Sequence, residues 1–159
     1  MAYSDTPSQR ERRWSPGERI IATAGVLLTA DMALLPWHHF SLDLPTEQFG
    51  VQVPSFRFDR TGVQEPYALF GIAASVIAMG MVIHVLAARR TSAVPKPGQF
   101  HVIAGAVVLG LVAAKLVANS DFLGIGAWVG LALAAAVAYG GFALSQEAST
   151  GSDTAVSGA

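Results

Sequence analysis

The chain alternates between long apolar runs and short polar segments that hold nearly all its charges. Each apolar run approaches the ~20 residues that a helix needs to cross the hydrocarbon core of a bilayer. The four runs cover about residues 16–36, 66–88, 100–118 and 122–144. Ser15, Pro16 and Glu18 mark the start of the first, because they supply an N-cap, a favourable first helical residue and a capping box. The pattern predicts four transmembrane helices within a membrane domain of residues 15–145.

The longest connection between these runs, residues 38–65, has a different pattern. Apolar and polar residues alternate in it, with apolar positions at Phe49, Val51, Val53, Phe56 and Phe58. Side chains of a strand point alternately to opposite faces, so a period of two predicts strands. We therefore expect a small extracytoplasmic β-hairpin in this outer loop. Residues 1–14 and 146–159 have little to bury, and we expect both segments to be disordered.

Composition places the chain in the integral-membrane class. Only 13% of its 159 residues are charged and 52% are hydrophobic, whereas soluble domains are about 25% charged. The expected fold class is an all-α integral membrane protein surrounded by membrane lipid. A net charge of -1 gives no reason to expect a nucleic-acid partner. The absence of cysteine excludes disulfides and thiolate metal sites.

Basic residues predict the orientation of the chain. One side of the predicted bundle holds Arg10, Arg12, Arg13, Arg19, Arg89, Arg90 and Lys96, and the other side holds Arg57 and Arg60. Cytoplasmic loops of membrane proteins carry the excess of arginine and lysine. We therefore expect a multi-pass protein of the plasma membrane with both termini in the cytoplasm.

Two ionisable residues lie well inside predicted spans, Asp31 in the first and Lys115 in the third. Each is six residues from a predicted outer boundary, at Trp37 and Asp121, and so about 9 Å below it. A charge within a span costs roughly 2.5–3.5 kcal/mol and normally faces protein or water. The equal depth predicts an intramembrane ion pair between Asp31 and Lys115. Such a pair would fix helix register or line an ion path; alternatively, Lys115 would snorkel to the lipid phosphates.

Small residues recur every four positions on the last two predicted spans. On the third span they are Ala106, Gly110, Ala114 and Ala118, and on the fourth they are Gly126, Gly130, Ala134 and Ala138. Small residues at this spacing let two helix backbones approach closely in lipid. We expect the two faces to meet within the hairpin of these spans. Gly71, Ser75 and Ala78 indicate a further contact face on the second span.

The histidines give little indication of a metal or cofactor. His38 and His39 are weak metal candidates, because adjacent residues of an extended chain point apart and no recognised ligand spacing surrounds them. His84 and His101 are expected at similar depth, where a pH sensor or a haem-ligating pair is conceivable. Haem sites of this type generally need more histidines near the midplane, so we expect no cofactor. Ser75 has no histidine within reach by spacing, and we expect no catalytic site and no enzyme.

In topology, the chain resembles the claudin-like proteins, which have four spans and a folded first outer loop. It lacks the Trp-Gly-Leu-Trp segment and the two cysteines of the claudin loop signature. Its helices rich in Ala, Gly and Val, its preference for arginine over lysine and the Pro-Trp that closes the first span resemble uncharacterised small four-span membrane proteins of high-GC actinobacteria. This resemblance implies a fold and no activity.

These observations favour a non-catalytic accessory or scaffolding subunit of a larger membrane protein complex. Other membrane protein subunits would dock on the small-residue faces and on the outer loop through Trp37, Phe49, Val51, Val53, Phe56 and Phe58. One alternative is a small oligomeric channel or transporter that uses Asp31 and Lys115. Another is a sensor whose outer loop binds a ligand or metal through His38, His39 and Asp43.

Overall fold

A computed structural model describes residues 14–42, 56–91, 98–118, 120 and 123–156, with residues 41–42, 56–57 and 150–156 described through the backbone alone. The elements in chain order are α1 (Pro16–Leu34), β1 (Pro36–Leu42), β2 (Phe56–Thr61), α2 (Ala68–Arg90), α3 (Gln99–Ala118) and α4 (Ile125–Val156). The described chain is therefore mostly helical, with one small antiparallel sheet.

Three of the four described helices are long and apolar enough to cross a membrane: α2, α3 and the part of α4 from Ile125 to Ser149. This finding is consistent with a membrane protein. The helix α1 is not among them, because its 19 residues include the charged side chains of Glu18, Arg19 and Asp31. The predicted number of helices is thus confirmed, and three of them have the properties of a span.

The start of α1 follows the sequence prediction. The Glu18 backbone N–H donates to the Ser15 hydroxyl oxygen at 3.2 Å, and the Ser15 N–H donates to the Glu18 carboxylate at 3.0 Å. These reciprocal bonds form the capping box, with Pro16 at the first helical position. At the other end, Leu35 is extended, because a residue before proline is disfavoured in helical geometry.

The end of α4 corrects the sequence prediction. A disordered tail was expected from residue 146, yet the helix continues to Val156. Gln146, Glu147 and Ala148 are good helix formers, and the Glu147 carboxylate accepts a hydrogen bond from the Gly17 backbone N–H at 3.2 Å. This bond satisfies a backbone donor in the first turn of α1 that has no partner within its own helix. Residues 1–13 and 157–159 lie outside the described residues.

The four helices form a closed ring in which each packs against two others. Their order around the ring is α1, α2, α3 and α4, and α4 returns to α1. Ile21 and Leu28 of α1, Val85 of α2 and Val108 of α3 are fully buried where these helices meet. Because α1 and α3 are diagonal in this ring, side chains on them meet only across the centre of the bundle.

The sheet also differs from the predicted hairpin. The described partner of β2 is β1, which begins immediately after α1. The predicted partner strand, with Phe49, Val51 and Val53, lies outside the described residues. Within β1, Pro36 pairs with Thr61 and His38 pairs with Arg60, so Trp37 is the extra residue of a β-bulge. A bulge interrupts the alternation of side chains, and Trp37 and His38 are consequently both fully buried.

The packing face of α3 is rotated from the predicted one. On α4, Gly126, Gly130 and Ala134 are buried as expected, and Ala138 is partly buried, but all four predicted α3 residues are exposed: Ala106, Gly110, Ala114 and Ala118. The close approach to Ala138 is made by Gly105, one position earlier. One residue of an α-helix corresponds to a rotation of about 100°, which turns the predicted ladder away from α4.

Replacing individual glycines by alanine distinguishes these two faces of α3. A Cβ on Gly105 would lie 2.8 Å from the Ala138 Cα, whereas a Cβ on Gly110 would meet nothing within 4 Å. We expect Gly105→Ala to lower the free energy of unfolding by about 1–3 kcal/mol. We expect Gly110→Ala to raise it by about 0.5–1 kcal/mol, because alanine is the better helix former. Thermal unfolding in detergent measures both, and equal stabilisation by the two changes would contradict this packing.

Candidate functional site

Buried polar side chains gather where the sheet meets the helices, at what we call the sheet end of the bundle. They come from α1, β1 and α3, and they are Asp31, Trp37, His38 and Lys115. Asp31 is 4% exposed and the other three are fully buried. Buried polar groups cost free energy unless they find partners, so the contacts of these four residues determine what this sheet-end cluster does.

The Trp37 indole occupies the space between α1 and α4. Its Nε1–H donates to the Asp31 Oδ2 at 3.2 Å. Glycines make room for the ring: a Cβ on Gly130 would lie 2.9 Å from the Trp37 Cη2, and one on Gly126 would lie 2.9 Å from the Cδ1. A Cβ on Gly62 would lie 3.0 Å from the Nε1. Gly126 and Gly130 of α4 therefore accommodate a tryptophan of β1 rather than the backbone of α3.

Backbone hydrogen bonds tie β1 to the elements around it. The Gly124 N–H donates to the Trp37 carbonyl at 2.8 Å, and His38 forms an isolated antiparallel bridge with Leu123. On the other side, the Val63 N–H donates to the Met32 carbonyl of α1 at 3.1 Å. The sheet is thus part of the bundle, and the start of α4 depends on it.

Lys115 binds the turn that precedes α2. Its ammonium donates to three backbone carbonyls, those of Gln64 at 3.3 Å, Pro66 at 2.7 Å and Tyr67 at 3.1 Å. An ammonium has three N–H donors, and each has an acceptor here. Tyr67 has left-handed backbone geometry with a φ of 59° and provides no side-chain cap for α2. Lys115 therefore stabilises a turn that local interactions leave incomplete.

The predicted ion pair between Asp31 and Lys115 is wrong. The Asp31 carboxylate binds the Trp37 indole, and its Oδ1 has no hydrogen-bond partner within the described part of the chain. The Lys115 ammonium binds backbone carbonyls instead of a carboxylate. Equal depth in the sequence did not bring the two together, because α1 and α3 are diagonal in the ring and depth does not determine helix rotation.

The adjacent histidines separate as the sequence predicted. His38 is buried, and burial lowers its pKa, with a further lowering from the positive charge of Lys115. His39 is exposed, and its Nδ1 lies 2.7 Å from the Asp59 Oδ1. Among the described residues, no three His, Asp or Glu side chains are grouped so as to hold a metal ion. Asp43 lies outside the described residues.

The predicted outer-loop interface is only partly described. Trp37 belongs to the core and is unavailable to a partner, which corrects its assignment to the interface. Phe58 is 56% exposed on β2 and remains a surface residue. Beside it, the Arg60 guanidinium lies 5.7 Å from the centroid of the Phe40 ring. Phe56 is described through its backbone alone.

A second group of polar contacts lies at the opposite end of the bundle, where α1 begins and α2 ends. The Arg89 guanidinium donates to the Glu18 carboxylate at 2.8 Å and lies 4.4 Å from the centroid of a Trp14 ring. The sequence indicates a capping role for Glu18 and an orienting role for Arg89, and it gives neither a partner. The signal for this pair is that both residues lie at the same predicted membrane boundary.

Comparison with protein-family models, with curated proteins and with solved structures finds no match to this chain.

Replacing Lys115 by methionine tests its role in holding the turn. Lys115→Met preserves length and removes the bonds to three carbonyls. The Tyr67 carbonyl keeps the Phe70 N–H as a donor, and a buried acceptor left unsatisfied costs roughly 1–3 kcal/mol. We expect the free energy of unfolding in detergent to fall by about 2 kcal/mol or more. Asp31→Asn, the control, retains an acceptor for Trp37 and should cost less. Restoration of stability by the charge swap Asp31→Lys with Lys115→Asp would instead support an ion pair.

The burial of His38 predicts a dependence of stability on pH. Its pKa in the folded protein lies below the ordinary value of 6.5, so the unfolded state binds more protons as the pH falls through that range. The free energy of unfolding should therefore fall from pH about 7 to about 5, and His38→Gln should make this fall shallower. The matched change His39→Gln removes a histidine of the same strand and keeps the buried imidazole of His38. An unchanged slope in His38→Gln would contradict the prediction.

Proposed function

We propose that this protein is a non-catalytic accessory or scaffolding subunit of a larger complex in the plasma membrane. In this proposal α1 is a fourth span, despite its charges, and both termini are cytoplasmic. The partner subunit docks on α3 through the face that carries Ala106, Gly110 and Ala114. The exposure of this small-residue face is the observation that supports the proposal.

The α3 face has the properties of a helix-packing surface. Its small residues are all exposed, and apart from the neighbouring backbone of α3 itself, a Cβ on Gly110 would meet nothing described within 4 Å. The large apolar side chains of Ile103, Val107 and Val117 flank it and are exposed as well. Lipid covers any apolar face equally well, so apolar character alone would not indicate a partner. Small residues spaced by four allow close backbone contact, which favours another helix over lipid.

The fold itself does not use this face. The inward side of α3 already packs through His101, Gly105, Val108, Val112 and Lys115. The ladder is therefore free to serve association, and substitutions on it should leave the bundle intact. Phe58 on β2 offers a second exposed apolar residue at the sheet end.

The two alternative functions receive less support. A path lined by Asp31 and Lys115 requires both side chains to face a common route, and each is held by different partners. An outer-loop metal site would need His38 and His39 together, and one is buried while the other contacts Asp59.

A pair of glycine substitutions tests the docking face. Gly110 on α3 and Gly80 on α2 both have space for a Cβ, so Gly110→Leu and Gly80→Leu should fold equally well. We expect the wild-type protein, purified from its native membranes in mild detergent, to retain a larger membrane protein at fixed stoichiometry. Gly110→Leu should lose that protein, because leucine prevents close helix contact, and Gly80→Leu should retain it. Mass spectrometry with native gel migration measures the complex.

Two results would contradict the proposal. Retention of the same partner by Gly110→Leu would exclude the α3 face as the docking surface. Purification of the wild-type chain as a monomer, or as a homo-oligomer alone, would remove the support for a subunit of a larger complex.

A further inference from the structure

Two histidines contact each other near the end of the bundle where α2 ends and α3 begins. The ring centroids of His84 on α2 and His101 on α3 are 4.9 Å apart, with planes inclined by 53°. His101 is fully buried and His84 is partly buried. Within the described chain, both ring nitrogens of His101 and the Nδ1 of His84 are buried without a hydrogen-bond partner.

This arrangement is costly for two ordinary histidines. A neutral imidazole has one N–H donor and one acceptor nitrogen, and a buried group left unsatisfied costs about 1–3 kcal/mol. Native structures contain few such groups, and a missing ligand is one established reason for them. The helices α2 and α3 thus bring two imidazole rings together, and imidazole nitrogens are common ligands of metal ions.

We propose that His84 and His101 together bind a copper(I) ion. An imidazole nitrogen binds metals of this kind at about 2.0 Å, so two rings on one trigonal or tetrahedral centre have centroids roughly 5 Å apart. The observed separation of 4.9 Å agrees with that distance. The partial exposure of His84 leaves one side of the centre open, through which the ion enters and a small molecule completes its coordination.

Charge favours copper(I) over a divalent ion. Both proposed ligands are neutral, and no described group of three His, Asp or Glu side chains supplies a further anionic ligand. A divalent ion would bring two uncompensated positive charges into an apolar bundle, where unpaired charge is very unfavourable. Copper(I) brings one, accepts imidazole ligands and tolerates low coordination numbers.

The surroundings hold both rings in place. Phe100 contacts each of them, with centroids 6.2 Å from His84 and 5.6 Å from His101, and an aromatic ring attracts a nearby cation. On the other side, a Cβ on Gly141 of α4 would collide with the His101 carbonyl. The backbone of His101 is therefore fixed against α4, so that its imidazole remains next to His84.

Copper(I) titration of the full chain in lipid nanodiscs tests this proposal. The titration is anaerobic, with bicinchoninate as the competing chelator, and zinc(II) is titrated in parallel. We expect one copper(I) per chain. Loss of a residue that only supports a metal ligand weakens metal binding roughly 10- to 100-fold. His84→Leu and His101→Leu each remove a proposed ligand, so each should weaken copper(I) binding by at least this factor. His39→Leu, which removes an exposed histidine at the other end, should bind like the wild type.

The proposal would be overturned if the double variant His84→Leu, His101→Leu bound copper(I) as tightly as the wild type. Zinc(II) binding as tight as copper(I) binding would overturn the assignment of the ion. Helical circular dichroism verifies the folding of each variant. If a variant does not fold, X-ray absorption of the wild type decides: nitrogen scatterers at about 2.0 Å from copper support the site, and their absence rejects it.

Discussion

The sheet end of the molecule depends on the bonds between the Lys115 ammonium and the turn before α2. Three carbonyls of this turn accept hydrogen bonds from a fully buried ammonium, which has three N–H groups to donate. Because the ammonium is shielded from water, its burial depends on these acceptors. The bonds determine where α2 starts, and the first turn of α2 in turn packs against Gly62. Gly62 adjoins the Trp37 indole, so the interaction extends to β1 and, through Gly124, to α4.

The sequence predicts the helices well because their signals are local. Apolar runs of sufficient length identify them, and Ser15, Pro16 and Glu18 mark one helix start to the residue. Rotation is not encoded in the same way. The small residues of α3 have the right spacing, but Gly105 is the one that meets α4, and a shift of one position rotates a helix face by about 100°. The ion pair between Asp31 and Lys115 was wrongly predicted for a similar reason. The sequence indicates how deep each residue lies along its helix, but it does not give the order of the helices around the bundle.

The strand β1 was missed for a related reason. The bulge at Trp37 places two consecutive residues in the core, and this hides the alternation by which strands are recognised. In the sequence, Trp37 follows an apolar run, which is the usual position of an aromatic residue at a membrane interface. Only its packing against glycines in the folded structure shows that it belongs to the core. The partners of Lys115 are backbone carbonyls, which every residue possesses. No sequence pattern distinguishes them, although an unmatched lysine within a span indicates that acceptors must be near.

Polar groups in the first half of the chain have hydrogen-bond partners in its second half. Gly17 at the start of α1 donates to Glu147 of α4, and the turn before α2 is held by Lys115 of α3. A chain leaving the ribosome makes α1, the sheet and α2 before either partner exists. Until then these polar groups need water or lipid headgroups, because hydrocarbon offers them no hydrogen bonds. The ring can therefore close only after α3 and α4 have been synthesised.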